Sequence, residues 1–335
     1  MGWFFDLHSQ VIDPDRIPYA VAAIILTIVF GMITGPVAGN ANPFLWGVFN
    51  TVFGLFGDKL DRSGRPRGDL IFRGFLLCAF LLFLAGVAGK YDIASPYVEI
   101  VVLSLFLTSG SIWFLLLRLF FAMDTKGGIG GAYYGLSRSS RVDLNSVDDF
   151  GIVRTAMGYS AVAFDKGLVA PCLWYLIGGL PLVYVYFVLS FMVWRFGRCG
   201  HGSGFVDVPA ALEKLMGIIP SLFSGALLTA ATAVTPSAKI TRVFLMWWKD
   251  KDSVPYAQGG MVLSAMALPL QISLGGPVRD IGGARLPNGW VGEKDSTAKV
   301  ARGHLKRAIF MNVIALLLFV LALLSAYIYA GKLDL

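Results

Sequence analysis

The sequence predicts an all-α, polytopic integral membrane protein, built as a helical bundle. Hydrophobic residues make up 56% of the 335 residues and charged residues only 15%, against about 25% charged residues in soluble domains. The mean hydropathy is +0.69. The apolar residues fall in continuous runs of about 20 residues, the length that a helix needs to cross the hydrocarbon core of a bilayer. We therefore expect about five full spans, together with short, re-entrant or broken helices.

The charge distribution agrees with this class. The net charge is +7, and the basic residues lie in short loops beside the apolar runs, as is typical of the cytoplasmic flanks of membrane helices. This pattern predicts the bacterial inner (plasma) membrane as the location and the lipid bilayer as a partner, and it argues against a nucleic-acid partner. Three cysteines are too few for a disulfide framework.

The first half of the chain contains three predicted spans. Residues 17–36 are apolar and predict the first, whereas the mixed, amphipathic residues 1–16 predict a segment that lies in the membrane interface. Residues 43–57 are apolar but short, which favours an interfacial, re-entrant or buried helix. Residues 70–89 and 97–123 predict two further spans, and the short loop between them predicts an antiparallel hairpin.

The apolar run over residues 168–194 is interrupted by Gly178, Gly179 and Pro181. Proline removes a backbone donor and clashes with the preceding turn. The interruption predicts either a broken helix or tight hairpin, whose irregular backbone must be covered by protein or water, or a simple kinked span.

The last third of the chain contains two predicted spans. Residues 210–235 are apolar with Pro220 inside the run, and residues 309–330 form the final span. Residues 261–274 are again too short to cross. Residues 17–335 thus predict one transmembrane domain. Its polar stretches predict cytoplasmic loops near residues 58–68, 124–166 and 275–307, of which the second is rich in glycine and serine and predicts irregular backbone.

The sequence lacks the residue spacings of a zinc or haem site, a P-loop and a nucleophile elbow, so we predict no metal site from it. The glycine-rich basic loop after residue 274 is more distinctive. Gly275 and Gly276 permit the close approach of a ligand to the backbone, and Arg279 and Arg285 suit an anionic group. A surface loop with turns and positive-inside charge is the alternative.

Several motifs recur in the order and at the spacing of a known family. They are Asn42-Pro43, Val153-Arg154-Thr155-Ala156, residues 167–174 with Gly178-Gly179-Leu180-Pro181, residues 211–220 ending in Ile219-Pro220, and Leu274-Gly275-Gly276-Pro277 with Trp290-Val291-Gly292. With these motifs the chain resembles the CobD/CbiB membrane proteins of late cobalamin biosynthesis. The family is taken to join an aminopropanol phosphate to adenosylcobyric acid in an ATP-dependent amide ligation.

The chain departs from that family at its acidic positions. The aligned residues read Gly158, Val162, Ala163 and Lys166, and the paired aspartates read Glu213 and Lys214. Asp165 stands one residue out of register. Carboxylates hold magnesium and help to neutralise charge in phosphoryl transfer. The resemblance therefore implies a retained scaffold with an altered acidic site.

Two functions follow from the resemblance, and whether the chain is an enzyme stays open between them. The first is a paralogue with lost or altered catalysis, which acts as an accessory or structural subunit of a membrane complex. The alternative is a working adenosylcobinamide-phosphate synthase with a corrinoid substrate, ATP and Mg²⁺. AmpE, a membrane protein linked to β-lactamase regulation, is a related branch, so an AmpE-like signalling protein is a further alternative.

The synthase alternative assigns roles to individual residues. The acidic catalytic groups would be Asp124, Asp165 and Glu213. The groups that bind the substrate phosphate would be Arg154, Arg279, Arg285, Gly275 and Gly276.

Overall fold

The structure, a computed structural model, describes residues 12–36, 39–62, 64–91, 95–123, 130–145, 147–197, 204–238, 259–283, 285–286, 289–293 and 295–331. This part of the chain is mostly helical. Five stretches in it are long and apolar enough to cross a membrane: Pro14–Thr34, Arg67–Ala88, Asp149–Phe196, Asp207–Thr232 and Arg302–Tyr329. The predicted class, a helical membrane bundle, is confirmed.

The first span begins with a short 3₁₀ turn, Pro14–Arg16, followed by α1 (Ile17–Thr34). Both faces of α1 are apolar, as expected of a helix that packs on a bundle on one side and on lipid on the other. The buried face is Ile17, Ala20, Ala23, Ile24, Thr27 and Gly31, and the exposed face includes Ile25, Val29, Phe30, Met32 and Ile33. This helix confirms the predicted span over residues 17–36.

The next two helices are α2 (Phe44–Leu60) and α3 (Arg67–Ala88). With 17 residues, α2 is as short as the sequence predicts, and α3 confirms the predicted span over residues 70–89. The backbone of Phe205 crosses α3 at Gly74, where an added β-carbon would lie 1.7 Å from the Phe205 carbonyl oxygen. Only glycine allows this approach.

The prediction of one continuous span over residues 97–123 is wrong. The chain instead forms two helices, α4 (Pro96–Ser104) and α5 (Ser109–Ala122). At the break, the backbone N–H of Thr108 donates to the carbonyl of Gly167, 2.9 Å away. A contact with a distant segment thus replaces the local helical hydrogen bond.

The irregular backbone predicted for residues 124–166 is also wrong over most of the part that the structure describes. A 3₁₀ turn (Gly130–Tyr133), α6 (Tyr134–Ser140) and α7 (Asp149–Phe164) occupy it. Asp148 caps α7, because its Oδ1 accepts from the backbone N–H of Gly151 at 2.9 Å, which satisfies one of the free donors of the first turn. The buried apolar face of α7 outweighs the polar composition of the stretch.

A buried π-helical segment, Asp165–Val169, joins α7 to α8 (Ala170–Phe196). The whole stretch has 48 residues, so as a straight helix it would be about 72 Å long, over twice the thickness of the hydrocarbon core. It is interrupted at Gly178 and Gly179, whose φ angles are −139° and +66°. The predicted broken helix is confirmed.

The remaining helices of the described residues are α9 (Asp207–Thr232), α10 (Gly259–Leu270) and α11 (Arg302–Tyr329). The predicted spans over residues 210–235 and 309–330 are confirmed, although α11 begins earlier, within the predicted loop. Four short strands precede α11 and form two antiparallel pairs, β1 (Leu274–Gly275) with β4 (Trp290–Val291) and β2 (Val278–Arg279) with β3 (Arg285–Leu286).

The centre of the bundle is the Asp149–Phe196 stretch. In its most apolar window 67% of the residues are buried, against 28% in the first span. The central stretch therefore packs on protein along most of its length, while much of the first span is left uncovered by the rest of the protein. The π-helical segment in its middle is the only place among the described residues where two adjacent charged side chains, Asp165 and Lys166, are both buried.

Candidate functional site

A cavity of about 170 Å³ lies beside the central stretch, between α2, α7, α8 and the strands. Its ionisable lining residues are Arg141, Arg154, Lys166 and Asp280. They come from four separate parts of the sequence, so the cavity exists only in the folded protein. The cavity is also lined by the aromatic residues Trp46, Tyr159 and Trp194.

The π-helical segment positions Lys166 at the wall of the cavity. Lys166 lines the cavity and its Nζ lies 2.5 Å from Oε1 of Glu213 on α9. Both side chains are more than nine-tenths buried. Inserted π turns recur at functional sites in helices, and a buried ion pair is stabilised only while both partners remain.

The neighbouring carboxylate, Asp165, points away from the cavity. Its two oxygens accept hydrogen bonds from the hydroxyls of Ser221 and Ser224 on α9, at 2.5 Å and 2.8 Å. Asp165 is 1% exposed and is not a lining residue of the cavity. Its carboxylate therefore contributes to the packing of the π-helical segment against α9.

A second ion pair also lines the cavity. Arg141 has a left-handed backbone conformation, with φ +58°, and its Nε lies 4.0 Å from Oδ1 of Asp280. The guanidinium also lies over the ring of Trp194, 5.6 Å from its centroid. The carboxylate of Asp280 is held by the backbone N–H of Gly282 at 2.9 Å. These contacts fix both charges of the pair.

The polar wall between α2 and α8 is held by one backbone carbonyl, that of Ser139. It accepts hydrogen bonds from Nδ2 of Asn42 and from Nε1 of Trp194, both at 2.9 Å. The hydroxyl of Tyr159 donates to Oδ1 of Asn42 at 2.7 Å. A connected network of this kind rigidifies a wall, so the cavity has a fixed shape on this side.

Arg154 stacks on the ring of Trp290, a further aromatic residue near the cavity. Its guanidinium carbon lies 4.9 Å from the centroid of the Trp290 ring, and its NH1 donates to the carbonyl of Ala298 at 3.1 Å. Trp290 in turn packs on Gly276, which has φ +86° and whose added β-carbon would lie 2.7 Å from the ring. The glycine is thus required by the chain's own packing.

The structure brings some of the predicted phosphate-binding residues together and leaves others apart. Arg154 and Gly275 line the cavity, and Gly276 lies next to it in sequence. Gly275 has φ +78°, and its added β-carbon would lie 2.5 Å from the carbonyl oxygen of Gly289. Arg279 and Arg285 pair with each other across β2 and β3, are exposed and lie outside the lining.

The predicted acidic residues do not converge on the cavity. Asp165 and Glu213 both lie in the contact between the π-helical segment and α9, each with its own partner. Asp124 lies outside the described residues. Within the ranges given above, no group of three or more histidine, cysteine, aspartate or glutamate side chains could hold a metal ion.

Sequence reasoning missed three residues of the site: Arg141, Lys166 and Asp280. Lys166 carries a usable signal, because an ionisable residue next to an apolar run is a functional candidate in a membrane protein. Arg141 and Asp280 carry none, because they meet only through an isolated bridge between Val142 and Asp280.

Comparison with known proteins identifies relatives of the chain. A family model described as CobD/Cbib protein matches residues 48–312. Cobalamin biosynthesis protein CobD of Sinorhizobium sp is 24% identical over 283 residues, which cover 78% of this chain and 86% of that protein. Its namesake in Rhizobium meliloti (strain 1021) is 25% identical over 287 residues, which cover 79% and 85%. No solved structure shows significant similarity.

Proposed function

The chain belongs to the CobD/Cbib protein family, and from this premise we propose that it is a non-synthase member in cobalamin biosynthesis. In this proposal it binds an anionic small molecule in the cavity and acts as an accessory or structural subunit of a membrane complex. It does not carry out the ATP-dependent ligation that the resemblance implies for the family.

The observation that carries the proposal is the charge of the cavity wall. Three of its four ionisable lining residues are cationic: Arg141, Arg154 and Lys166. Guanidinium and ammonium groups in a partly enclosed site favour carboxylate or phosphate groups. Magnesium is held instead by oxygen ligands, mainly carboxylates, and Asp280 is the single carboxylate in the lining.

The substitution at residue 166 supports the same proposal. In the resemblance to the family, Lys166 stands at an aspartate position. Its ammonium lies 2.5 Å from Glu213, one of the two residues at the family's paired aspartates. The ammonium of Lys166 repels a divalent metal ion. It also neutralises the carboxylate of Glu213, which would otherwise attract the metal ion.

A working synthase is the second candidate, and one observation favours it. Residues of four family-like motifs line this one cavity although they are distant in sequence: Asn42-Pro43, Arg154-Thr155, Lys166-Gly167 and Gly275. A site that had lost its ligand would not need to keep them together. This candidate requires ATP, Mg²⁺ and a corrinoid substrate.

The proposal includes an orientation in the bacterial inner membrane. Residues from all three predicted cytoplasmic loops meet at the C-terminal end of α8: Asp58 pairs with Arg195 at 2.6 Å, and Arg141, which lies over Trp194, pairs with Asp280. Residues 58–68 and 275–307 carry an excess of basic residues, so the positive-inside rule favours the cytoplasm for this end.

The deciding experiment is complementation. The chain is expressed in a cobalamin auxotroph that lacks its own CobD/CbiB synthase, beside a functional synthase as the positive control. We expect no growth without cobalamin from the chain, although immunoblots detect it in the membrane fraction. We also expect the purified protein to bind no ATP in the presence of magnesium. Restored growth would establish the synthase and overturn the proposal.

A further inference from the structure

The inner end of the cavity continues into a recess of about 10 Å³. Trp46, Lys166 and Ser190 line both the cavity and the recess, so they surround the junction between the two. Tyr186 and Phe187 line the recess but not the cavity. A ligand that fills the cavity reaches its innermost polar contacts at this junction.

Trp46, which lines this junction, has an unused hydrogen-bond donor. The residue is 6% exposed, and its ring stacks on that of Trp194 with centroids 5.0 Å apart. Its buried Nε1 has no hydrogen-bond partner, whereas Nε1 of Trp194 donates to the carbonyl of Ser139. A buried N–H without an acceptor is costly and uncommon. We therefore expect a bound ligand to supply an acceptor atom to Nε1 of Trp46.

The second group at the junction is the ammonium of Lys166. It carries a positive charge at the cavity surface and is held in place by Glu213 at 2.5 Å. Arg141 and Arg154 add positive charge along the same wall. An acceptor atom that also carries negative charge fits both the indole N–H and this surrounding charge.

We propose that the inner end of the cavity is a subsite for an oxyanion of the ligand, a carboxylate or a phosphate group. It accepts a hydrogen bond from Nε1 of Trp46 and lies beside the ammonium of Lys166, which Glu213 also contacts. This inference rests on the proposed function, since it specifies which part of the anionic ligand binds where. Trp46 is a ligand-binding residue in this assignment.

The test measures the binding of inorganic phosphate and of acetate to the full-length protein in lipid nanodiscs, by ligand-observed NMR titration. Trp46→Phe keeps an aromatic ring against Trp194 but removes the N–H. Its matched control is Trp174→Phe, because Nε1 of Trp174 is also buried without a partner but the residue does not line the cavity. We expect Trp46→Phe to weaken binding about tenfold, as for the loss of one hydrogen bond to a charged group, and Trp174→Phe to leave it unchanged.

A double variant tests the subsite without relying on the fold of Trp46→Phe. Lys166→Met with Glu213→Gln removes both charges of the buried pair at once. We expect it to weaken the binding of the anions, whereas Lys166→Arg retains the charge and the binding. Preferential binding of phosphate or of acetate by the wild type identifies which oxyanion the subsite takes.

The outcomes separate this inference from the proposed function. If the wild type binds the anions, Arg154→Gln weakens the binding and Trp46→Phe does not, the subsite is refuted while the anion-binding cavity stands. The N–H of Trp46 then serves a bound water. If the wild type binds neither phosphate nor acetate, both the subsite and the anionic ligand of the proposed function are refuted.

Discussion

The guanidinium carbon of Arg16 lies 3.4 Å from the position that a β-carbon would occupy on Gly179. The N-terminal turn thus packs directly on the break in α8. Two carbonyls freed by the break are satisfied from the same turn: the N–H of Asp13 donates to Leu176 at 3.0 Å, and NH1 of Arg16 donates to Tyr175 at 3.4 Å. Buried backbone groups that are freed by a break in a helix need such partners.

Gly179→Ala should therefore destabilise the protein. With φ +66° and ψ −162°, Gly179 occupies a region that is essentially restricted to glycine, where another residue costs about 1–3 kcal/mol. Gly86→Ala is the matched control, since Gly86 lies inside α3 with nothing within 4 Å of an added β-carbon. It should stabilise the helix by about 0.5–1 kcal/mol. Unfolding titrations in mixed micelles measure both changes, and equal effects would contradict the role of the break.

Lys166→Met should lower the free energy of unfolding by far more than the loss of one hydrogen bond would. It leaves the buried carboxylate of Glu213 without its partner, and such uncompensated charges cost about 3–5 kcal/mol. The double change Lys166→Met with Glu213→Gln should recover most of this loss, because no charge remains buried at that position. The same unfolding titrations give the coupling of the two residues as a double-mutant cycle. Additive effects would show that the ion pair does not form.

Two helix breaks, one inside α8 and one between α4 and α5, show what the sequence could and could not predict. The break in α8 is encoded locally, since Gly178, Gly179 and Pro181 disfavour a helix in any surroundings. The break between α4 and α5 is not, because it depends on the hydrogen bond from Thr108 to Gly167, which is distant in sequence. Residues 97–123 are mostly apolar, with Glu99 near one end and Arg118 near the other, and therefore predict one continuous span.

The residues of the candidate site also fall into those that the sequence could identify and those that it could not. Arg154 and Gly275 could be selected from motifs, because each lies in a segment whose glycines and charges are unusual. Arg141 could not, since its place in the cavity depends on the bridge that brings residue 142 beside Asp280. Lys166 was visible only as a departure from a family pattern. Its ion pair with Glu213 becomes apparent once the π-helical segment and α9 are packed together.

Gly276→Ala should weaken anion binding to the cavity. Its added β-carbon would lie 2.7 Å from the Trp290 ring, so the ring must move and Arg154 loses its stacking partner. Gly283→Ala is the control, because Gly283 has a similar φ of +84° with nothing within 4 Å of an added β-carbon. Both variants should lose about 1–2 kcal/mol of stability from backbone strain, but only Gly276→Ala should bind phosphate more weakly. Equal phosphate binding by the two variants would show that the position of the Trp290 ring does not affect anion binding.

The two ends of the α8 segment that follows the break, residues 180–196, predict opposite accessibility for two exposed residues. Asp15 belongs to the N-terminal turn at the break, and Arg285 belongs to β3, near the cavity. The α8 segment over residues 180–196 is about 25 Å long, which is close to the hydrocarbon thickness, so we expect these two regions on opposite sides of the membrane. In a Cys199→Ser background, a membrane-impermeant maleimide should label Asp15→Cys in intact cells whose outer membrane has been permeabilised. It should label Arg285→Cys only after the inner membrane is opened as well, because the proposed orientation places this end in the cytoplasm. The reverse pattern would invert the orientation, and labelling of both residues from outside would show that the 180–196 segment does not cross the bilayer.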